Sequence, residues 1–308
     1  MKNVLFATSA LVGIAGVAFA EGHTGVALSG SAEMGITYFD DGTDDSTEFH
    51  NDIDVTFTLS GATDNGLTFG ASIDLDEADG DAVIESSNSV FISGSFGTLS
   101  MGDVDGAYDK ALSNVPNGGL NGEADHTSGT SGLDGYSDGE ILRYDYSFSG
   151  LTVSASLELE DEASGVENIY GVGVAYSGDA GSISYNVGLG YQTTEDSDGA
   201  GNGADAYGVS AVVGFGDFAV TGVYERLEVD GSDDTDTYGL GAEYTMGAIT
   251  VAGAYQRSES GGFNEDIYQA YMTYDLTGGA EIVAAVGFID DNAGTEETYA
   301  GFGLGFSF

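Results

Sequence analysis

The stretch Gly25–Tyr38, GVALSGSAEMGITY, alternates between two kinds of residue. Val26, Leu28, Gly30, Ala32, Met34, Ile36 and Tyr38 hold one parity; Ala27, Ser29, Ser31, Glu33, Gly35 and Thr37 hold the other. Successive side chains of a β-strand point to opposite faces, so the stretch reads as a strand with one apolar and one polar face. The pattern returns in Phe49–Leu59, Leu67–Leu75, Leu151–Leu159, Ile183–Tyr191 and Tyr238–Met246. Sixteen such segments lie at 25–39, 48–60, 66–76, 88–96, 98–103, 140–149, 151–161, 167–177, 182–193, 204–215, 218–228, 236–246, 248–257, 265–276, 280–290 and 298–308.

Composition narrows the field. Of 308 residues, 51 are Gly, one is Pro, and none is Cys or Trp; 52 acids face five bases, a formal charge of −47. So acidic a chain excludes nucleic acid as a partner, because that affinity comes from cationic contacts to phosphate. The absence of Cys excludes disulfides and thiolate metal sites. With 41% hydrophobic and 11% aromatic residues the chain is too apolar to be disordered. A large, Gly-rich, acidic, all-β protein remains.

Met1–Ala20, MKNVLFATSALVGIAGVAFA, has a short positive start at Lys2, an apolar centre from Leu5 to Val17 and an Ala-x-Ala ending at Ala18–Ala20. That is the layout of a secretory signal peptide, which leaves a mature domain of residues 21–308. No later run is long and apolar enough for a transmembrane helix.

The connections between strands alternate in length. Gly61–Asn65, Gly97, Gly150, Ser177–Gly181, Gly216-Asp217, Gly247 and Thr277–Gly279 are short. Asp40–Thr47, Glu77–Ser87, Asp103–Gly139, Glu162–Val166, Thr194–Gly203, Val229–Thr235, Ser258–Asn264 and Asp291–Glu297 read as longer, acidic loops. Short turns at one end and longer loops at the other, around an even number of strands, point to a transmembrane β-barrel. Glu33, Asp52, Asp54, Asp74, Asp76, Asp145, Glu158, Glu160, Glu225, Glu243, Asp275 and Glu281, with Arg143, all fall on the polar parity, and His50 shares it. A soluble barrel with its apolar side inward would give the same alternation. The signal peptide and a ring of sixteen strands favour apolar side chains against lipid and carboxylates around water, since so wide a ring encloses a channel. Tyr38, Tyr191, Tyr224 and Tyr255 at one rim, and Phe96, Phe148, Tyr176, Phe215, Phe218, Tyr244 and Tyr274 at the other, read as interfacial girdles.

The segments SGATDNGLTFGASI (Ser60–Ile73), FGTLSMGD (Phe96–Asp103) and the closing GFGLGFSF (Gly301–Phe308) resemble the Gram-negative porins of alphaproteobacteria. The terminal Phe308, after alternating Ala300, Phe302, Leu304 and Phe306, is similar to the signal read by outer-membrane assembly machinery. The resemblance implies an all-β fold, a sixteen-stranded antiparallel transmembrane barrel with a long, inward-folded third loop. It also implies a homotrimer in the outer membrane of a Gram-negative bacterium, without cofactor. Asp103–Gly139, at 37 residues, already exceeds the ~12–15 beyond which a structureless loop is usually functional. Its Asp103, Asp105, Asp109, Glu123, Asp125, Asp134 and Asp138, with Lys110, are the expected constriction residues. Glu33, His50, Asp52, Asp54, Asp74, Asp76, Arg143, Asp145, Glu158, Glu225, Glu243, Asp275 and Glu281 are the expected pore wall.

Such porins set a basic cluster on the wall opposite an acidic loop; here both sides are acidic. The expectation is therefore passive, cation-preferring diffusion of ions and small hydrophilic solutes. A solute-specific channel and a plugged structural or adhesive barrel are the alternatives. Catalysis has no support, since His23, His50 and His126 stand in no catalytic motif. Arg226 and Arg257 could pair with lipopolysaccharide phosphates at the outer rim or with acids of the chain's own loops. Asp40-Asp41-x-x-Asp44-Asp45 and Asp230-x-x-Asp233-Asp234 could hold Ca²⁺ or Mg²⁺, although solvated acidic loops explain them more simply.

Overall fold

A computed structural model describes residues 24–77, 84–120, 131–137, 139–160, 165–294 and 296–308, with backbone only at 76–77 and 84–86. The proposed signal peptide, Glu123, Asp125 and Asp138 lie outside the described residues, as does the side chain of Asp76. Sixteen strands follow one another: β1 (Gly25–Asp40), β2 (Asp45–Ala62), β3 (Thr68–Glu77), β4 (Ile84–Gly94), β5 (Gly97–Gly102), β6 (Ile141–Phe148), β7 (Leu151–Glu158), β8 (Ile169–Ala180), β9 (Ile183–Thr194), β10 (Ala204–Phe215), β11 (Phe218–Val229), β12 (Thr235–Met246), β13 (Ile249–Ser260), β14 (Phe263–Thr277), β15 (Ala280–Asp290) and β16 (Glu296–Ser307). One short helix, α1 (Ala107–Ala111), interrupts them between β5 and β6. Each strand pairs with its sequence neighbours, and β1 pairs antiparallel with β16 to close the barrel. Closure removes every sheet edge, which is what lets strands cross a membrane with all backbone groups paired.

The outward face carries the apolar parity. Val26, Leu28, Met34, Phe49, Leu189, Leu240 and Phe302 are exposed, Phe49 to 92%. Aromatic rims bound it. Tyr191–Tyr207, Tyr224–Tyr238 and Tyr255–Tyr268 pair across neighbouring strands with ring centroids 5.2, 5.2 and 5.0 Å apart. At the turn end Phe215 faces Phe218, which in turn faces Tyr244. No helix among the described residues is long and apolar enough to cross a membrane; the strands do the crossing.

One loop expectation is overturned. Ser258–Asn264 is not a long connection: β13 runs to Ser260, β14 resumes at Phe263, and only Gly261-Gly262 turns the chain. Both glycines have positive φ, 56° and 89°. Two such residues make the primed turn whose twist matches a β-hairpin, and glycine adopts it without strain. The packed core sits between the long loop and the inner wall. Tyr108, Leu112, Leu133, Val166, Ile169, Ala204 and Ala206 form one cluster, and Val115, Val223 and Ala254 a second.

Candidate functional site

The third long loop enters the barrel and lies along its wall. Ala107 and Ala111, one helical turn apart on α1, are both buried. The helix packs on β7, β8 and β9. Beyond it the loop follows the wall: Leu112 and Tyr108 lie over Gly208 of β10, Val115 over Gly239 and Pro116 over Gly241 of β12, Gly118 on the Tyr271 ring of β14, and Leu120 over Gly35 of β1 and Gly303 of β16. Hydrogen bonds fix this path. The Ala107 N–H donates to Ser156 Oγ (2.9 Å), the Ser113 N–H to Ser210 Oγ (2.8 Å), and Gln269 Nε2 to the Pro116 carbonyl (2.8 Å).

The returning limb is held by carboxylates. Glu158, only 2% exposed, accepts the backbone N–H groups of Gly135, Ser137 and Gly139, each at 3.0 Å. Asp134 accepts the Gly106 N–H at 2.7 Å and the Gln192 side-chain amide, while Gln192 Oε1 accepts the Leu133 N–H at 2.8 Å. Burial, with Asp109 and Glu158 nearby, pushes Asp134 up to about 7; the bonds from Gly106 and Gln192 pull the other way. The Tyr108 hydroxyl donates to Glu225 Oε1 at 3.2 Å, and burial, then that carboxylate, raises its pKa. Glu158 thus holds the loop rather than lining water, and Asp134 ties the returning limb to Gly106 and Gln192, a division of labour that parity cannot reveal.

The remaining candidates divide by arc. Glu33 faces Asp52 in register between β1 and β2, and Asp54 faces Asp76 between β2 and β3. Asp54 accepts from Ser31 Oγ and Asp74 from Thr56 Oγ1, both at 2.8 Å. His50 Nε2 lies 3.6 Å from Glu33. Asp275 and Glu281 face each other at the turn end, and Glu243 accepts the Tyr271 hydroxyl at 3.0 Å. Asp103 continues from β5 with its N–H on the Asn88 carbonyl; Asp109 and Lys110 lie half-buried on α1.

The bases are few: Lys2, Lys110, Arg143, Arg226 and Arg257. Arg143 is 2% exposed, with Nε 2.9 Å from Asp145, Nη1 on the Asp105 carbonyl and 4.0 Å from the Asp105 carboxylate. It staples the start of the loop to β6. Arg226 pairs with Glu228, Asp234 and Asp236, and Arg257 with Glu259 and Asp266. Both arginines are thus engaged by acids of the chain's own strands and loops.

Asp41 accepts the N–H groups of Thr43 and Asp44, and Asp234 pairs with Arg226. Among the described residues no group of three or more His, Asp or Glu is placed to hold a metal ion.

The wall residues that receive the loop were missed in the sequence. Gly171, Gly173, Gly188, Gly190, Gly208, Gly239, Gly241 and Gly303 all sit on the inward parity, on which the sequence singles out only acids, Arg143 and His50. Gly173, Gly190 and Gly208 face one another in register across β8, β9 and β10. Glycines of one parity on adjacent strands, with a long loop upstream, are a readable signal of close backbone approach.

With this geometry in hand, the likeness to known proteins is specific. A family described as Gram-negative porin matches residues 7–294. A porin of Rhodobacter capsulatus is 32% identical over 221 residues, covering 67% of this chain and 68% of that protein. A porin structure refined at 1.8 Å resolution is 28% identical with a TM-score of 0.71, over 92% of this chain and all of its own. An anion-selective porin from Comamonas acidovorans shares the fold at 18% identity, with a TM-score of 0.73 over 93% of this chain. The chain belongs to the Gram-negative porin family: it is an outer-membrane channel protein and not an enzyme.

Proposed function

We propose that the barrel is a water-filled, cation-preferring diffusion pore for ions and small hydrophilic solutes, working as a homotrimer after removal of residues 1–20. One observation carries the selectivity: where the bases are. Arg226 and Arg257 are engaged with acids at the loop-end rim, and Arg143 is buried between Asp105 and Asp145. Lys110 is left as the one loop base against Asp103, Asp105 and Asp109, while Glu33, Asp52, Asp54 and Asp74 line the wall of β1 to β3.

A hydrated cation entering this lumen is drawn in by the summed field of the carboxylates. The low-dielectric wall keeps the field of those carboxylates inside the bore. An anion meets the same field as a barrier. No bond breaks and no gradient is coupled; solutes move down their own concentration difference. The anion-selective relative shares the architecture, so the sign of the preference must come from lining residues rather than from the fold.

The test is the zero-current potential of the purified protein in a planar bilayer under a KCl gradient. Cation preference is expected, strongest at low salt, because a Debye length of about 10 Å at 0.1 M leaves the lumen field partly unscreened. Anion preference, or none, overturns the charge argument. Swelling of liposomes in small sugars tests the open bore separately.

A further inference from the structure

The loop lies closer to the wall than ordinary side chains permit. A Cβ placed on Gly173 would come within 1.9 Å of the Ala107 carbonyl oxygen, and one on Gly188 within 1.9 Å of the Ala111 carbonyl oxygen. A Cβ on Gly190 would fall 2.8 Å from the Tyr108 ring, and one on Gly208 2.3 Å from Leu112 Cδ1. On Gly241 it would fall 2.4 Å from Pro116 Cδ, and on Gly35 2.3 Å from Leu120 Cδ1. None of these glycines needs a left-handed backbone; what they provide is the missing side chain. The loop answers with small residues of its own, since Ala107 and Ala111 are the buried pair on α1.

We propose that these inward glycines form a recess that sets how deeply the loop is seated, and thereby fixes the bore of the channel. The recess runs from β8 and β9 through β10 and β12 to the seam where Gly303 of β16 faces Gly35 of β1. Ordinary van der Waals contact begins near 3.4 Å, so an added methyl at Gly173 or Gly188 pushes α1 about 1.5 Å off the wall. Wall and loop are both backbone at those points, and close-packed backbone yields as a unit rather than by a rotamer change. The displaced loop has one direction to go, toward the barrel axis. The glycines are thus positioning residues for the pore size, acting through the loop. The inference rests on the diffusion-pore reading.

The experiment compares single-channel conductance and the largest sugar admitted by liposomes for the full-length protein and four variants. Gly188→Ala and Gly241→Ala should each lower conductance by ~1.5–2-fold and shift the sugar cut-off down, since pore diameter sets both. Gly241→Ala meets mainly Pro116 Cδ, so adding Pro116→Ala to it should restore conductance. Gly305→Ala is the control: it lies on the inward parity of β16 but meets only the Glu281 and Val283 side chains, nearest at 3.3 Å, and should conduct as the parent does. If Gly188→Ala fails to assemble, the Gly241→Ala pair decides alone. Unchanged conductance in correctly folded Gly241→Ala, no recovery with Pro116→Ala, or an equal loss in Gly305→Ala would each overturn the recess. A parent protein that passes neither ions nor sugars fails the pore reading instead, so the two failures are distinct.

Discussion

Two arcs of the inner wall share one parity and one hydrogen-bonding pattern yet have different neighbours. From β7 to β12 the inward positions are Ser156, Glu158, Gly171, Gly173, Gly188, Gly190, Gln192, Gly208, Ser210, Gly239 and Gly241, and they meet the loop. On β2 and β3, with Glu33 of β1 at the edge, they are His50, Asp52, Asp54, Thr56 and Asp74, only partly buried, with Asp54 and Asp74 bonded to Ser31 and Thr56 of the wall itself. The first arc behaves as a protein interior, the second as a charged surface turned inside out. Carboxylates therefore do opposite work on the two arcs. Glu158 is buried and accepts three backbone N–H groups, whereas in the proposed pore the work of Asp54 and Asp74 is to present charge to the lumen.

The sharpest way to break this contrast is to empty the covered arc. Replacing Glu158 by Ala leaves the Gly135, Ser137 and Gly139 N–H groups without their acceptor. A hydrogen bond to a charged acceptor contributes about 1.5–3 kcal/mol, so losing three should free the returning limb while the barrel, held by its closed ladder, persists. Limited proteolysis in detergent should cut the Glu158→Ala loop at least tenfold faster than the parent loop, with strand content unchanged by circular dichroism. A loop equally resistant would mean that its anchorage lies elsewhere.

The open arc should give a smaller effect on stability and a larger one on transport. Neutralising Asp52, Asp54 and Asp74 to Asn removes three charges from this arc while leaving oxygen acceptors for the Ser31–Asp54 and Thr56–Asp74 bonds. Partly solvated substitutions of this kind usually change stability by less than about 0.5 kcal/mol each. Cation-to-anion permeability should fall several-fold at low salt and much less at high salt, where screening already weakens the field. Unchanged selectivity would move the determinant to the loop acids or to the Glu243, Asp275 and Glu281 side of the lumen.

How far the sequence could be read follows the same division. Alternation from Val26 to Tyr38 and its fifteen repeats identified all the strands, because lipid outside and polar groups inside enforce period two along every strand. The 37-residue stretch Asp103–Gly139 marks the loop in the sequence, because so long a connection without strands of its own needs a reason. What could not be read is which arc the loop covers. Glu158 and Asp54 look alike in sequence, since parity says inside and nothing about whether inside is wet. Gly261-Gly262 falls inside an acidic stretch that reads as a loop, although two glycines between alternating segments carry the hairpin signal themselves.

The finest distinction concerns one half-buried acid, Asp134, held where the covered arc meets the returning limb. Its pKa rises from 3.8 to about 7 on folding, chiefly through burial. Between those values the folded protein binds more protons than the unfolded one, so anchorage weakens as pH climbs from about 4 to 7 and then levels off. The groups facing it are Asp109 of α1, Glu158 of β7, Gln192 of β9 and the Gly106 N–H; no base among them offsets the charge. Loop proteolysis should therefore be slower at pH 5 than at pH 8.5, by a few-fold. In Asp134→Asn, which fixes the neutral form, the two rates should converge, and the Asp52/Asp54/Asp74 variant should keep the parent's pH dependence. A pH response that survives in Asp134→Asn would assign the effect to another group.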